Sequence, residues 1–335
     1  MDDHTRMLVD HAQSRVRIQR ARDPAAERLA VAREVREGLL SRPRRLPSRL
    51  FYDDRGSALF EEITRLPEYY PTRAEIAILE ERADEIVADV SPRELVELGS
   101  GSGRKIRLLL DAMSRAGSRE SCVLLDVHEG SLAEAASALA ERYPGLRVRG
   151  IVGDFATDLG LLGPGGGRLA LFLAGTVGNL EPAGVPPFLA RMGRQLEAGD
   201  AFLVGFDLVK DPARLHAAYN DAAGVTARFN RNILQVLNDE LGADFEPEAF
   251  DHVAFYDPRA SRIEMWLRAT RPMRVGVPAA GVQLQLQAGE AIRSEISCKY
   301  TRESVEALLP GTGLVLGRWT TDPAGDFALG LLHRA

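Results

Sequence analysis

The sequence predicts an α/β fold in which a doubly wound parallel sheet is combined with a second domain of helices and antiparallel strands. A glycine-rich turn between a strand and a helix begins at Gly99, and apolar runs of strand length alternate with helix-length connections up to Phe206. After Asp207 the apolar spacing becomes helical, and from Phe250 to Tyr300 it has a period of two. We therefore expect two domains, because a chain of 335 residues is long enough to give each its own core.

The N-terminal segment is predicted to contain one regular helix. Residues 1 to about 24 are polar and charged and are expected to form a loosely held arm or helix. Pro24–Leu40 has apolar residues near helical spacing and a proline at a start position, which predicts an amphipathic helix. Arg42–Arg49 is a basic, proline-containing linker. The stretch that follows, up to Arg73, is rich in aromatic residues and includes a tyrosine pair between two prolines, which indicates a ligand pocket.

The glycine-rich turn lies in the run Glu94–Lys105, which reads ELVELGSGSGRK. It is not a P-loop, because the lysine is neither preceded by glycine nor followed by serine or threonine. It also departs from the dinucleotide spacing G-x-G-x-x-G, since its glycines alternate and Glu97 stands two places before the first of them. An acid at that place repels a pyrophosphate but suits a cationic ammonium or sulfonium. The pattern resembles the first motif of S-adenosylmethionine-dependent methyltransferases.

Candidate ligand-binding residues follow the later strands of the same series. Asp126 ends the second strand, where a carboxylate can accept both ribose hydroxyls of a nucleoside. Asp154 and Phe155 follow the third strand, where the acid can bond an adenine amino group and the ring can cover the base. The fourth strand, Leu169–Leu173, is apolar throughout, as in strands buried on both faces. It leads into the polar loop AGTVGNLEP, at a carboxyl strand end where open α/β sheets bind substrates.

The remaining elements complete the predicted sheet and the insertion. A helix over Pro186–Leu196 and a strand over Ala201–Phe206 continue the alternation, and helices are expected over Pro212–Ala223 and from Asn230 to Leu241. Alternating apolar residues after Phe250 predict an antiparallel meander. The runs Leu314–Trp319 and Phe327–Leu332 are predicted to be a terminal hairpin of the first sheet.

Composition excludes several classes of function. The net charge is −6 with acids and bases mixed along the chain, so no basic face is expected for nucleic acid. The sequence has no apolar run of membrane-spanning length and no signal-peptide core, and we expect a cytoplasmic protein. Cys122 and Cys298 lie in strand-like runs and are expected to be buried thiols. The histidines lack metal-ligand spacing and are expected at surface or capping positions; they are His4, His11, His128, His216, His252 and His333.

Longer motifs carry a more specific resemblance. They are FYDDRGS, LPEYYPTR, ELGSGSGRK, AGTVGNLEP, DLVKD, GVTARFNRN, IEMW, SEISCKY and AGDF. With them the chain, from about residue 45 onward, resembles the L-histidine Nα-methyltransferases of ergothioneine biosynthesis. The resemblance implies a Rossmann-like class I methyltransferase domain with a second, α+β substrate-binding domain. It also implies S-adenosylmethionine as cofactor, S-adenosylhomocysteine as its product, no metal, L-histidine as substrate, and hercynine, the trimethylbetaine of histidine, as product. Nothing in it requires more than a monomer.

The resemblance also implies domain bounds and site residues. The expected segments are an N-terminal arm and helix (1–44), two parts of the substrate domain (45–75 and 211–300), and two parts of the methyltransferase domain (76–210 and 301–335), with the active site in the cleft between the domains. The matched cofactor positions are Gly99, Ser100, Gly101, Lys105, Asp126, Asp154 and Phe155. The positions matched to the α-amino and α-carboxylate ends of the substrate are Tyr52, Tyr69, Asn179 and Tyr219, and those matched to its imidazole are Met265, Glu295 and Ser297. The family often carries glycine then serine where this chain has Ala174 and Gly175.

The chemistry of methyl transfer accounts for these residue types. Displacement at a sulfonium needs a neutral amine placed behind the methyl group, and placement alone contributes roughly 7–11 kcal/mol. An α-ammonium has a pKa of about 8, so a strong dedicated base is not required, and Tyr52 with Asn179 can orient the amine. Glu295 and Ser297 alternate on a strand-like run and so share a face, where a carboxylate and a hydroxyl match the donor and acceptor nitrogens of an imidazole.

Two other functions are compatible with the cofactor loop. One is N-methylation of another amino acid, with tryptophan first, and the other is a catalytically silent S-adenosylmethionine-binding protein. The tyrosine, asparagine and glutamate–serine set argues against both. Nucleophilic hydrolysis has no support, because the chain lacks a G-x-S-x-G elbow and a Cys/His signature.

Overall fold

A computed structural model describes residues 15–101 and 103–335, which form two compact units. Unit 1 comprises the described residues through Ala21 together with Pro71–Val209 and Lys299–Ala335. Unit 2 comprises Arg22–Tyr70 and Lys210–Cys298. The sequence predicts domain boundaries after residues 75, 210 and 300. Of the N-terminal arm predicted over residues 1 to about 24, residues 1–14 lie outside the described part of the chain.

The regular elements follow one another along the whole described chain. The strands are β1 (Val16–Arg20), β2 (Glu94–Leu98), β3 (Ser121–Asp126), β4 (Arg147–Val152), β5 (Arg168–Phe172), β6 (Ala201–Asp207), β7 (Phe250–Asp257), β8 (Arg262–Ala269), β9 (Met273–Val277), β10 (Val282–Leu286), β11 (Ala291–Cys298), β12 (Leu314–Thr321) and β13 (Phe327–Arg334). The helices are α1 (Pro24–Leu40), α2 (Asp54–Ile63), α3 (Pro71–Val90), α4 (Arg104–Ala116), α5 (Glu129–Arg142), α6 (Val185–Gly193), α7 (Pro212–Tyr219), α8 (Val225–Leu241) and α9 (Arg302–Leu308).

Unit 1 is built on a sheet whose described strands lie in the order β1-β4-β3-β2-β5-β6-β13-β12. The pairings from β1 to β6 are parallel, and β13 runs antiparallel to both β6 and β12, which confirms the predicted terminal hairpin. Successive residues of β5 point to opposite faces. Leu169 and Leu171 join the core formed with α3, α4 and α5, whereas Phe172 contacts Phe188 of α6. Helices therefore cover both faces, and the Rossmann-like methyltransferase sheet predicted from the sequence is confirmed, with an antiparallel strand added.

The order of the strands reverses at β2. From β2 the chain passes outward to β3 and then β4, after which it returns to place β5 on the other side of β2. In open α/β sheets the crevice at such a reversal, beyond the carboxyl ends of the strands, is where ligands bind. The loops that follow β2 and β5 are the glycine-rich turn and the segment 174–179. The topology thus brings the two most distinctive loops of unit 1 to one edge of the sheet.

The described part of the predicted N-terminal arm and helix (residues 1–44) contains a strand that was not predicted, followed by the predicted helix. Val16–Arg20 is an edge strand that pairs in parallel with β4, and its Val16 and Ile18 pack on the core of unit 1. Helix α1 has the predicted bounds, but its Val35 and Leu39 belong to the core of unit 2. This strand could not be predicted, because five residues with only two apolar side chains look the same in sequence as a polar arm.

Unit 2 contains the predicted antiparallel strands, divided between two sheets. Strands β11, β8 and β7 form one sheet in that order, and β9 pairs with β10 in a separate hairpin. Both sheets and the helices of this unit contribute side chains to one apolar core. Helix α8 begins at Val225, five positions before the predicted start, because Gly224 in a left-handed conformation (φ 67°) introduces it. Helix α7 ends at Tyr219 and not at Ala223, since the chain leaves helical geometry at Asn220.

Candidate active site

The glycine-rich turn of unit 1 needs glycine for its backbone conformation. Gly99, Gly101 and Gly103 all have positive φ, at 74°, 46° and 62°. A Cβ at Gly99 or Gly101 would meet nothing within 4 Å, so space is not what excludes side chains there. The left-handed conformation is the reason, because it costs an L-residue roughly 1–2 kcal/mol. The turn places backbone N–H groups between the end of β2 and the start of α4.

Among the described residues of this turn, which leave out position 102, two buried polar side chains each have an oxygen without a hydrogen-bond partner. They are Oε2 of Glu97 and Oγ of Ser100, in residues that are 3% and 5% exposed. Burial raises the pKa of Glu97 to about 8, against the opposing effect of Lys105, and the neighbouring Glu75 and Asp126 raise it further. Orphaned buried oxygens are rare in folded proteins and call for a ligand or water. A carboxyl and a hydroxyl in this state fit the ammonium end of an amino-acid-like cofactor.

The two acids predicted at strand ends lie on the neighbouring strands of the same edge. Asp126 ends β3, and its carboxylate accepts hydrogen bonds from the backbone N–H groups of Gly101 (3.1 Å) and His128 (2.9 Å). Burial raises the pKa of Asp126, and those backbone bonds oppose the rise. Asp154 follows β4, and its Oδ1 accepts from Ala156 N at 2.7 Å. The predicted order of acids along the carboxyl edge is therefore present, as expected for a nucleoside site.

Phe155 is half-buried beside the acid that follows β4. Its ring packs edge-on against Phe172, with centroids 4.9 Å apart, and against Phe188 at 5.9 Å. These contacts hold the phenyl ring in one orientation. A fixed aromatic face next to Asp154 suits the stacking of a planar base.

Lys105, one of the predicted cofactor positions, has an acidic partner within the protein. Its ammonium forms an ion pair with Glu75 of α3, whose side chain is fully buried. Glu75 was not among the residues predicted for the site. A signal for it exists, since Glu75 lies on the helix face that carries the buried Ile78 and Leu79, three and four positions later. An acid inside an apolar helical stripe indicates a buried partner.

Asn179 ends a short 3₁₀ turn, Thr176–Asn179, that follows β5. The turn is preceded by two residues with positive φ, Ala174 at 63° and Gly175 at 66°. Two hydrogen bonds fix its backbone. Gly178 N donates to Gly175 O at 2.9 Å, and the hydroxyl of Thr176 donates to Leu173 O at 2.7 Å. The amide of Asn179 is thus carried by a loop with little conformational freedom.

In unit 2, a β-bulge brings the three predicted imidazole contacts to one face of the sheet. Directly opposed residues of antiparallel strands point to the same side. Ile292 lies opposite Leu267, so these two side chains share a face. In a regular strand Glu295, three positions after Ile292, would point to the opposite face. The register shift at residue 294 instead sets Glu295 opposite Met265 and Ser297 opposite Ile263. Glu295, Ser297 and Met265 consequently share one face.

Hydrogen bonds fix both the bulge and the hydroxyl of this face. The hydroxyl of Ser294 donates to Met265 O at 3.1 Å and also bonds the side chain of Asn230. Tyr219 donates its hydroxyl to Oγ of Ser297 at 2.8 Å. Tyr219 was predicted at the substrate's amino-acid end, and the structure places its hydroxyl beside a predicted imidazole contact.

The predicted tyrosines of unit 2 belong to one row of aromatic contacts. Tyr52 contacts Phe60 edge-on with centroids 5.8 Å apart, and Phe60 contacts Tyr69 at 6.2 Å. Tyr69 in turn contacts Tyr219 at 6.4 Å. Edge-to-face pairs of this kind set the orientation of each ring. The row connects the aromatic-rich N-terminal segment to the face that bears Ser297.

The candidate residues therefore fall into two groups, each assembled within one unit. Unit 1 holds Asn179 and all the predicted cofactor positions, and unit 2 holds Tyr52, Tyr69, Tyr219, Met265, Glu295 and Ser297. Glu97 and Glu75 are additional members of the first group. Asn230 and Ser294, which support the bulge, are additional members of the second.

The expectation for the histidines is partly wrong. His128 caps α5 through its ring, which accepts from Ser131 N at 3.2 Å, and His216 is exposed. His252, however, is half-buried and bonded within the protein: its ring nitrogens bond the Asn230 side chain at 2.8 Å and Tyr219 O at 2.9 Å, and burial lowers its pKa. His4 and His11 lie outside the described residues.

The part of the chain that the structure describes has the features of neither a metal site nor a membrane span. There, no three His, Cys, Asp or Glu side chains are grouped as a metal site requires. Over the same residues, no helix has both the length and the apolar character needed to cross a bilayer. Cys122 and Cys298 are buried thiols, as expected.

Comparison with known proteins gives one consistent family. A family model described as "Histidine-specific methyltransferase, SAM-dependent" matches residues 31–334. A histidine N-alpha-methyltransferase of Mycolicibacterium smegmatis is 49% identical over 94% of this chain and 97% of its own length. One from Mycobacterium tuberculosis is 47% identical over 91% and 95%. The ergothioneine biosynthesis protein 1 of Neurospora crassa is 32% identical over 88% of this chain, which corresponds to 33% of that longer protein.

Proposed function

Because the chain belongs to the family of histidine-specific, S-adenosylmethionine-dependent methyltransferases, we propose that it adds three methyl groups to the α-amino nitrogen of L-histidine and releases hercynine. Methylation of histidine with S-adenosylmethionine, within ergothioneine biosynthesis, is the activity that membership and close relatives support. The number of methyl groups is what the resemblance to the family implies, and the roles of single residues are our inference from the geometry. A cytoplasmic monomer is part of the same proposal.

The observation that carries the proposal is the shared face of Glu295, Ser297 and Met265. A neutral imidazole has one N–H donor and one acceptor nitrogen. A carboxylate accepts from the N–H, a hydroxyl donates to the other nitrogen, and the thioether packs against the ring. The hydroxyl of Tyr219 donates to Oγ of Ser297 and helps to fix its position on this face. An indole has no acceptor nitrogen, so tryptophan cannot accept a hydrogen bond from a hydroxyl as histidine can.

The amino-acid end of the substrate is assigned to Asn179 and the tyrosines. The amide of Asn179 and the hydroxyls of Tyr52 and Tyr69 both donate and accept hydrogen bonds, so they can orient an amine and also bind a carboxylate without a fixed cation. An α-ammonium has a pKa of about 8 in model compounds, so it can lose its proton to water or to a tyrosine oxygen without a dedicated base. As methyl groups accumulate the nitrogen becomes a quaternary ammonium, which aromatic faces tolerate.

The cofactor residues of unit 1 fit S-adenosylmethionine on the evidence of their own geometry. When bound, it supplies a methyl group on a sulfonium, activated for displacement. Glu97 and Ser100 offer unpartnered oxygens for an ammonium, and Asp126 offers a carboxylate for ribose hydroxyls. Asp154 and Phe155 offer an acceptor and an aromatic face for a base. Lys105 is assigned an indirect role through Glu75.

The direct test is to incubate the purified protein with S-adenosylmethionine and, separately, histidine, tryptophan or tyrosine, and to identify products by mass spectrometry. We expect trimethylated histidine and no modification of the other two. Methylated tryptophan would instead establish the alternative amino-acid substrate. Cofactor binding without methylation of any of the three would establish a silent binding protein.

The role of Glu295 has its own test. Glu295→Ala should weaken histidine binding on the order of 100-fold, because it removes a charged acceptor from a ligand N–H, and should leave S-adenosylmethionine binding within about twofold. Calorimetric titration with each ligand measures both. Asp251→Ala is the matched control, since it removes a half-exposed carboxylate of the same sheet that pairs with Arg268. Equal losses for both ligands in the Glu295 variant would contradict the assignment.

A further inference from the structure

Glu75 is the most completely buried acid in unit 1 whose function no motif explains. Its side chain is inaccessible to solvent, and a buried carboxylate is stable only with strong partners. Lys105 of α4 supplies the charge partner. The other partner is backbone: Ala174 N donates to both carboxylate oxygens of Glu75, at 3.0 and 2.9 Å. One side chain therefore joins the helix after the glycine-rich turn to the loop after β5.

Ala174 gives a reason for this contact. It is a non-glycine residue at φ 63°, in a conformation that costs an L-residue roughly 1–2 kcal/mol, and such strain persists only where surrounding structure enforces it. The two bonds from its N–H to Glu75 are the enforcing contact. Gly175 continues the left-handed path, and the 3₁₀ turn that ends at Asn179 follows directly. The orientation of the Ala174 peptide thus sets the direction in which the turn leaves the sheet.

The strand next to the loop leaves room for the carboxylate. Gly205 of β6 has no positive φ, yet a Cβ there would lie 2.2 Å from Oε1 of Glu75. Glycine inside a buried strand is unfavourable unless another group must approach closely. Here the approaching group is the Glu75 carboxylate, so two separate positions of the sequence serve the same contact.

We propose that Glu75 is a positioning residue for methyl transfer: by holding the strained Ala174 peptide and balancing Lys105, it sets the position from which Asn179 meets the substrate amine. The inference rests on the proposed function and deepens it. Glu75 does not touch substrate or cofactor; it acts through Asn179. A displacement of about 1 Å at a reacting group can cost about 100-fold in rate, so an indirect residue of this kind has a large kinetic effect.

The test compares Glu75→Gln with Asp200→Asn. Asp200 is a matched control, being a buried carboxylate of unit 1 that accepts backbone N–H groups, with Arg168 N at 2.7 Å and Glu197 N at 2.8 Å, at the amino ends of β5 and β6. Both variants should lose stability. Only Glu75→Gln should lower kcat/KM for the amino acid, by about 10- to 100-fold per folded molecule. Equal kcat/KM in the Glu75 variant and the wild type would overturn the proposal.

A double-mutant cycle with Asn179→Ala separates positioning from a general structural role. If Glu75 acts through Asn179, then Glu75→Gln should cost less than about threefold in kcat/KM once Asn179 is alanine, because the group to be positioned is gone. Losses that multiply, or an Asn179→Ala variant with full activity, would overturn the proposal. If Glu75→Gln fails to fold, Gly205→Ala takes its place in the cycle: the added Cβ would lie 2.2 Å from Oε1 of Glu75 and displace the carboxylate without removing its charge, and it would also press on the ring of Phe327 at 3.0 Å.

The outcome is independent of which amino acid proves to be the substrate. The cycle is measured with whichever of histidine, tryptophan or tyrosine the wild-type protein methylates. Failure of histidine as substrate would contradict the proposed function and leave the Glu75 cycle intact. Additive losses with histidine as substrate would contradict the role of Glu75 alone.

Discussion

Glu97 carries a carboxyl group whose pKa is shifted by burial and by the neighbouring charged side chains. Its pKa is raised by burial from 4.5 to about 8, and Glu75 and Asp126 add to the rise while Lys105, already paired with Glu75, opposes it. Between about pH 4.5 and pH 8 the folded, ligand-free protein therefore holds a proton that the unfolded chain has released. The contribution of this group to stability falls as pH rises through that window.

Binding of S-adenosylmethionine should release this proton. A neighbouring ammonium favours the ionised carboxyl, and at about pH 6.5 an α-ammonium is itself still protonated, so close to one proton should leave per cofactor bound. Affinity should then increase with pH up to about 8. Calorimetry at one pH in two buffers of different ionisation enthalpy counts the proton. Glu97→Gln should abolish the release, and identical heats in both buffers for the wild type would refute the assignment of Glu97 to the ammonium.

At the scale of single residues, the part of the site that has a characteristic spacing in the sequence was predictable. The part that depends on which residues the fold buries together was not. The alternating glycines and the acid two places before them indicate a cation-binding turn without any knowledge of the fold. Glu75 is different, because a glutamate in a helix is ordinary until its environment is known. Its partners, Lys105 and Ala174, lie 30 and 99 positions away in the chain. Only the folded sheet brings these three residues together.

At the scale of elements, long apolar strands were predicted with ends correct to within a few residues, whereas register was not predictable. The strand that ends at Asp126 is buried on both faces and reads as a continuous apolar run. The strand before Asp154 is less regular, because it carries Arg147, which is exposed, and Arg149, which is half-buried. The bulge at residue 294 depends on how β11 pairs with β8, which the sequence of either strand alone does not determine. The prediction that Glu295 and Ser297 share a face was right, but the bulge is what turns that face toward Met265.

The start of α2 can be tested at the scale of elements, because the residue that caps this helix, Asp53, directly follows Tyr52. Asp53 caps α2 by accepting from Gly56 N at 2.7 Å, and the same oxygen accepts from the buried Asn232 side chain of α8 at 2.7 Å. Asp53→Ala removes the cap and leaves a buried amide unpaired. We expect a loss of about 2–3 kcal/mol in the free energy of unfolding, measured by urea denaturation.

Asp211→Ala is the matched control for this variant. Asp211 caps α7 through a single exposed bond to Ala213 N at 2.9 Å, so its loss should cost only about 1 kcal/mol. Asp53→Asn keeps an acceptor oxygen and should retain most of the stability. Equal destabilisation by Asp53→Ala and Asp211→Ala would mean that the contact with Asn232 contributes nothing.

At the scale of the whole molecule, the chain is divided so that each compact unit is built from segments distant in sequence. Unit 1 is formed from three stretches and unit 2 from two. The change of period after Asp207 revealed the insertion, because helical and alternating spacings cannot continue a parallel sheet. Strand β1 (Val16–Arg20) was not predicted, since its membership of the sheet rests on pairing with β4, over a hundred positions later.

This division predicts where each ligand should slow hydrogen exchange. Backbone amides protected by a bound ligand exchange more slowly by the free energy of binding, about 100-fold at a ligand concentration of 100 times Kd. S-adenosylmethionine alone should protect residues 97–105 and 126–128 of unit 1. Histidine alone should protect residues 263–267 and 294–298 of unit 2, because the proposed imidazole contacts lie there. Exchange of each segment is followed by mass spectrometry of peptides with either ligand.

Two controls decide whether the protection is local. Strand β12 (Leu314–Thr321) belongs to unit 1 but lies at the opposite end of the strand order from β4, so its exchange should not change with cofactor unless the entire unit is stabilised. Glu295→Ala should abolish the protection by histidine and preserve that by S-adenosylmethionine. Protection of residues 294–298 by S-adenosylmethionine alone, without histidine and as strong as that of residues 97–105, would contradict the assignment of the cofactor to unit 1 and of the imidazole contacts to unit 2.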